Sequence, residues 1–362
     1  MKKADCLKPL HLIIITTLFN TSTILVFKGF IKSGRISFVT PIIAGALLFI
    51  CSLGLFYVGK KYPGKSIYEV LEILFPKWIA VLLSFIYGVY AIYLLSRITK
   101  NTGMWISTVS LDKTPEIILR IFLLGLCAYT LWYGISVFGR FTILSGAVTI
   151  FAVILIFTMS IENIDTENFL PLYSNGIESV LSDILSFFVL PFGENLMLYN
   201  IYAKAEKKKT VLRSFSIGIL TASVIISAVS FLTLSVLGYN SLERVYYPFY
   251  TTVSVIKSGN FLSRMEIVIS ASLILNILSK LCVCFYVATG FLKYLNKFKK
   301  STVNLIVIVA TLIISSILPS DAEGLKTHLQ IYQIVAPFIQ LGIPIAIFSA
   351  VLISDKRKRS NL

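Results

Sequence analysis

The sequence predicts an all-α protein that crosses a membrane ten times, as a 5+5 inverted repeat with discontinuous helices 1 and 6. Three observations carry that expectation. Hydrophobic residues make up 56% of the chain and charged residues 14%, with a mean hydropathy of +0.85; soluble globular domains carry about 25% charged residues. Ten apolar runs follow one another, at 10–27, 37–58, 78–98, 115–136, 141–160, 179–203, 211–238, 266–290, 302–318 and 331–354, each near the roughly 20 residues that a bilayer-spanning helix needs. Two of them are interrupted at mid-depth, the first by Asn20-Thr21-Ser22-Thr23 and the sixth by Pro191-Phe192-Gly193-Glu194.

The connections between runs are short, so residues 1–362 form one membrane domain, with repeat one at about 10–160 and repeat two at about 179–354. Five is odd, so two sequential copies of a five-helix unit enter the membrane from opposite sides, and run 1 then corresponds to run 6. The first run lacks a small-residue cleavage pattern after it and is expected to be a retained helix. Residues 60–77 begin with the turn Tyr62-Pro63-Gly64-Lys65-Ser66 and continue with Tyr68, Val70, Leu71, Ile73 and Leu74 around Glu69 and Glu72, a short amphipathic helix for the interface. Tyr246, Tyr247, Phe249 and Tyr250 around Pro248 suit an interfacial aromatic belt.

The net charge of +16 is not a nucleic-acid patch, because the cations alternate from loop to loop. With the N-terminus in the cytoplasm, 21 cations fall on that side and 10 on the other, Arg97 among the latter at the end of the third run; Arg120 and Lys280 lie within runs. The bias places both termini inside. The loop between runs 5 and 6 holds Glu162, Asp165 and Glu167 and no cation, as expected outside. Cys51, Cys127, Cys282 and Cys284 fall within runs and Cys6 near the N-terminus, with no disulfide frame or metal-ligand spacing.

Broken backbone in hydrocarbon persists only where protein, water or a ligand satisfies it, and paired breaks in the two halves point to a binding site. Asn20, Thr21, Ser22, Thr23, Pro191, Phe192, Gly193 and Glu194 are therefore the expected ligand-binding residues. A mid-membrane carboxylate needs a partner; Lys280, set among Leu275, Ile277, Leu278 and Leu281, is the expected ion-pair or coupling partner of Glu194. The N-terminus of a second half of helix 1 would attract a carboxylate, and the carbonyls with Glu194 at the second break an ammonium, so a zwitterionic amino acid fits both. His11, His328 and Arg120 are expected at the interfaces. No phosphate loop, nucleophile-base pair or metal cluster is present in the sequence, so neither catalysis nor a cofactor is expected.

In order and spacing, Tyr62-Pro63-Gly64-Lys65-Ser66, Thr114-Pro115, Gly134 with Arg140, Asn168-Phe169-Leu170-Pro171-Leu172 with Gly176, Pro191-Phe192-Gly193-Glu194, Tyr247-Pro248, Gly259-Asn260-Phe261 with Arg264-Met265-Glu266, and Lys280 with Tyr286 give the chain a family likeness. It resembles the spore germination permease family, the B subunits of endospore nutrient-germinant receptors, within the amino acid–polyamine–organocation transporter superfamily. The resemblance implies a receptor in the spore inner membrane that binds a small nutrient, often an amino acid. It also implies an A-type membrane subunit and a C-type lipoprotein as partners. A proton-coupled amino-acid permease is the alternative the fold allows. One departure stands out: relatives usually carry glycine in the first break, whereas Thr21, Ser22 and Thr23 stand there in this chain.

Overall fold

The computed structural model describes residues 6–26, 29–171, 175–255, 265–296 and 298–360. Lys2, Lys3, Leu172, Lys297 and the stretch Gly259-Asn260-Phe261 with Arg264 lie outside them. The described residues are helical from end to end, with a lone bridge between Leu7 and Ala205 as the strand-like pairing. The helices are α1 (Pro9–Val26), α2 (Thr40–Lys61), α3 (Ile67–Leu74), α4 (Lys77–Val109), α5 (Glu116–Trp132), α6 (Ile135–Ser160), α7 (Gly176–Val189), α8 (Leu198–Tyr202), α9 (Val211–Leu237), α10 (Tyr239–Leu242), α11 (Pro248–Val255), α12 (Met265–Leu295), α13 (Lys300–Ile317), α14 (Ala322–Gln340) and α15 (Gly342–Ser360).

Among the described residues, nine segments are long and apolar enough to cross a membrane. The tenth expected crossing is α5, a helix of 17 residues, about 26 Å at 1.5 Å per residue and so at the short end of the spanning range. The last crossing is built from α14 and α15, which meet at Leu341. Contacts at the two ends show that the passes alternate. Leu7 and Ala205 pair at one end, where Lys61 also meets Asp355 and Ser136 Oγ donates to Cys6 O. At the other end Asp165 N–H donates to Ser235 O, and Lys32 and Ser33 N–H groups donate to Asp183. The first end carries the lysine-rich turns before α3 and α9 and is called the basic end below.

The expected break in helix 1 is not there: α1 runs unbroken through Asn20, Thr21, Ser22 and Thr23. The polar side chains that suggested unwinding instead bond back onto their own helix. Thr17 donates to Ile13 O, Thr21 to Thr17 O, Ser22 to Phe19 O and Asn20 Nδ2 to Thr16 O, so each satisfies its own polarity without opening the backbone. With neither glycine nor proline in the stretch, nothing in the chain forces a kink. The sixth crossing is interrupted. Helix α7 ends at Val189, Leu190 is extended, residues Phe192–Met197 form a 3₁₀ turn, and α8 resumes at Leu198.

Helix α1 lies at the centre, packed on α9, α12 and α6, while α4 packs on α12, α13 and α5. The α1–α9 approach is close because Gly218 faces it; a β-carbon there would lie 2.6 Å from Thr16 Cβ and 2.9 Å from Ile13 O. Small residues at such crossings let helix backbones meet where lipid supplies no hydrophobic drive. The expected interfacial helix is α3, started by a capping box in which Ser66 and Glu69 satisfy each other's orphan amides.

Alternation of the passes gives a topological prediction. Cysteines introduced singly at Asn168 and Lys208 will react with membrane-impermeant maleimide from opposite faces. Labelling of both from one face would refute the alternation.

Candidate functional site

The broken segment positions its residues through one reciprocal amide pair. Asn195 Nδ2 donates to Asn20 Oδ1 at 2.6 Å, and Asn20 Nδ2 donates back to Asn195 Oδ1 at 3.0 Å. Asn195 also holds the first carbonyl of the 3₁₀ turn, Phe192 O, at 2.6 Å. The free backbone groups of the break are thus tied to the intact helix α1. The third partner is Gln340, the last residue of α14, whose Nε2 donates to Val189 O at 3.0 Å. Gly193 leaves room for this contact: a β-carbon there would stand 2.2 Å from Gln340 Oε1 and 3.1 Å from Phe188 O, so Gln340 would have to move.

Next to Gly193, Glu194 is wholly buried and faces two cations. Oε2 meets the Lys280 ammonium at 2.5 Å, and Oε1 is ion-paired with Arg97. The Tyr332 hydroxyl donates to Oε1 at 2.8 Å, and the Arg97 guanidinium lies 3.9 Å from the centre of the Tyr332 ring. Tyr90 and Tyr332 share a hydroxyl contact of 2.9 Å, and Gln340 Nε2 donates to Tyr90 OH at 2.8 Å. Lys280, at the midpoint of α12, donates to Thr23 Oγ1 at 2.8 Å and stacks its ammonium 4.7 Å from the Phe19 ring. Asn276, one turn earlier, donates to Thr21 Oγ1 at 3.1 Å. Desolvating an ion costs several kcal/mol, and such a cluster offsets that cost only through close opposite charges and satisfied hydrogen bonds.

Of the sequence-predicted residues, Thr23 meets Lys280, Asn20 meets Asn195 just beyond the segment Pro191 to Glu194, and Thr21 meets Asn276, all from the side of a continuous helix. Six further members were not read from the sequence: Arg97, Tyr90, Asn195, Asn276, Tyr332 and Gln340. Arg97 had been placed at the end of the third run because hydropathy falls after Ile98. In the structure α4 continues to Val109, about 18 Å further at 1.5 Å per residue, which puts the guanidinium deep inside. The continuing helix carried one signal, the apolar Ile98, Met104, Trp105, Ile106 and Val109 spaced among small polar residues.

Toward the far end, a cavity of about 530 Å³ opens above this cluster; Ser22, Thr23, Arg97, Leu190, Tyr247 and His328 are among its lining. His328 belongs to α14 and contacts the Tyr93 hydroxyl at 2.9 Å, rather than sitting in a loop. Arg97 is the charged floor of the cavity and Leu190 the C-terminal end of α7.

The sequence profile of the family described as "Spore germination protein" matches residues 7–323. The chain belongs to that family. Among curated relatives, this family member is 28% identical over 250 residues to spore germination protein KB of Bacillus subtilis (strain 168), covering 67% of each chain. Spore germination protein A2 of the same organism is 22% identical over 276 residues, 75% of this chain and 74% of the relative. YndE, also from that organism, is 22% identical over 328 residues, 89% and 87%. Among solved structures the fold is similar to MHP1, a nucleobase-cation-symport-1 family transporter in a closed conformation with bromovinylhydantoin bound, at a TM-score of 0.64 and 11% identity. That match covers 93% of this chain and 78% of the transporter. A substrate-bound, outward-open Na⁺-coupled sialic acid symporter gives 0.60 at 16% identity, with the same coverage. This spore germination protein is thus a multi-pass membrane protein with a transporter fold and a germinant-receptor or transporter role.

The arrangement of charges predicts an order of mutant stabilities. Glu194→Gln strands Arg97 and Lys280 with no anion between them, a loss of about 3–5 kcal/mol by analogy with other broken buried pairs. Lys280→Met leaves the Glu194–Arg97 pair balanced and will be milder. Melting of the purified variants in detergent should rank wild type above Lys280→Met and Glu194→Gln lowest. The double variant should melt above Glu194→Gln alone. Equal losses for the two single variants would show that the carboxylate does not hold both cations.

Proposed function

We propose that this protein is the solute-binding B subunit of a nutrient-germinant receptor, working in the spore inner membrane with an A-type membrane subunit and a C-type lipoprotein. Both termini are assigned to the cytoplasm and the two halves to an inverted repeat; the cavity above Arg97 then opens outward. The observation that carries the reading is the pairing of a germination family with a transporter fold whose buried charged cluster floors an accessible cavity. The protein supplies binding and signalling rather than bond chemistry.

The ligand is assigned as a small amino acid, with its ammonium still at the broken segment but its carboxylate at Arg97 instead of a helix-1 break. Helix α1 offers no internal N-terminus, so the carboxylate goes to Arg97, which faces the cavity and has donors beyond its bond to Glu194. Glu194 is already engaged by two cations and does not take the ammonium. The C-terminal end of α7 at Leu190, the negative end of a helix dipole, suits it, with the Ser22 and Thr23 hydroxyls beside it. Binding that bridges Arg97 and the broken segment stabilises one arrangement of that segment over another, which is what a receptor needs in order to report occupancy.

The second reading is a proton-coupled amino-acid permease, favoured by the likeness to two transporters. In that case the ion pairs at Glu194 would open during each cycle. Labelled amino-acid uptake into vesicles of the purified chain separates the two: accumulation driven by a proton gradient supports the permease, and its absence together with ligand-triggered germination supports the receptor.

Arg97→Gln keeps Glu194 paired with Lys280 and removes the proposed carboxylate partner. In spores lacking the native gene, this variant should reach normal abundance and need roughly ten- to a hundredfold more nutrient, as expected for a lost hydrogen bond to a charged group of about 1.5–3 kcal/mol. Ser22→Val, which removes one hydroxyl at similar size, should shift the response less. Normal abundance with unchanged nutrient concentration for both variants would place the binding site on another subunit.

A further inference from the structure

A second cavity, of about 810 Å³, lies on the other side of the broken segment, between α2, the segment Phe188–Ala203, the start of α9 and the α14–α15 joint. It shares no lining residue with the far-end cavity. Gly193, Asn195, Leu196 and Tyr199 form its inner wall, so it backs directly onto the turn that carries Glu194. Its chemistry is divided along its length. The walls are apolar and aromatic, with Leu48, Leu55, Phe56 and Phe215; the mouth at the basic end carries Lys60, Lys65, Lys208 and Lys209, and among the described residues no carboxylate lines it.

Backbone geometry gathers these lysines. Gly64, at a φ of +82°, makes the turn between α2 and α3, and a β-carbon on it would lie 3.7 Å from Lys208 Nζ. Lys208 donates to Ala203 O at 2.5 Å, which ties the turn before α9 to the end of α8. Neighbouring Lys61 is neutralised by Asp355, whereas among the described residues no ion pair joins the four lining lysines to a carboxylate. The cavity also opens sideways. Leu53, Tyr57 and Leu212 line it and are 40–45% exposed on the flank of the bundle.

We infer that this cavity is a binding site for one anionic phospholipid of the surrounding bilayer, with its phosphate among Lys65, Lys208 and Lys209 and an acyl chain along α2 and α9. The lysine mouth excludes a purely apolar occupant, and the exposed apolar flank gives entry from the membrane rather than from water. Basic pockets between membrane helices at the cytoplasmic side recognise anionic headgroups by this combination. Occupancy steadies the turn behind Glu194, so lipid composition sets the conformational equilibrium of the broken segment. The assignment is independent of which solute the far-end cavity takes.

The test uses the purified full chain equilibrated in mixed micelles of phosphatidylglycerol and phosphatidylcholine, with retained lipid read by native mass spectrometry. Wild type should retain phosphatidylglycerol preferentially, and Lys65, Lys208 and Lys209→Gln together should lower that retention by about a hundredfold, taking each lysine near an anionic surface at its usual strength. The matched triple Lys77, Lys293 and Lys299→Gln, outside the cavity, should change it little. A second readout needs no variant: Cys51 lines the cavity and is exposed, so phosphatidylglycerol should slow its alkylation where phosphatidylcholine does not. Glycerol phosphate should displace nothing; displacement by it would mean a phosphate site and overturn the lipid assignment. Equal retention of the two lipids, equal losses for the two triples, or Cys51 reactivity indifferent to lipid would each overturn it as well.

Discussion

The arrangement of this bundle depends on one carboxylate. Glu194 is wholly buried, and the groups that meet its charge come from three separate helices: Arg97 from α4, Lys280 from α12 and Tyr332 from α14. The remaining polar groups are then arranged around those ligands. Thr23 takes a hydrogen of the Lys280 ammonium, Tyr90 joins Tyr332, and Gln340 bridges Tyr90 to Val189 O. A buried network is worth its desolvation only when nearly every member is satisfied, which explains why so many helices turn a polar residue to one point.

The fold was legible because bilayer physics writes it plainly: apolar runs of the right length, alternating cation-rich turns, and a proline and glycine in run 6. Glu194 and Lys280 were legible for the same reason, since an ionisable residue among leucines has few explanations. Arg97 was not, because hydropathy assigns a residue to a span by its neighbours, and Ser96, Thr99, Lys100, Asn101 and Thr102 made a continuing helix look like its end. Tyr332 and Gln340 were missed because a tyrosine or glutamine in a span is unremarkable until its partner across the bundle is known.

The misreading of helix 1 has a different origin. Composition alone does not distinguish a polar run that opens a helix from one that bonds back to it. Asn20, Thr21 and Ser22 each find a carbonyl three or four residues earlier, and Asn20 still has its carbonyl oxygen free for Asn195. The same side chains therefore serve both the helix and the site. In run 6, proline removes a donor and glycine loosens the backbone, and the carbonyls left open are met by Asn195 within the turn and by Gln340 from α14.

That asymmetry bears on how occupancy could be reported. A continuous α1 is held on α9, α12 and α6, whereas the turn Phe192–Met197, though buried, carries its polar ties on side chains: the Asn20–Asn195 amide pair, the Tyr87 hydroxyl on Leu196 O and the partners of Glu194. Those contacts lie between the two cavities. Under the proposed function, a carboxylate at Arg97 shares the guanidinium with Glu194, whose other oxygen already meets Lys280, itself anchored to α1 through Thr23. With two cations and one anion in the cluster, a second anion restores balance instead of adding repulsion. Under the proposed function, the surplus positive charge favours a carboxylate and carries its arrival to the turn Phe192–Met197, an irregular segment of the buried core.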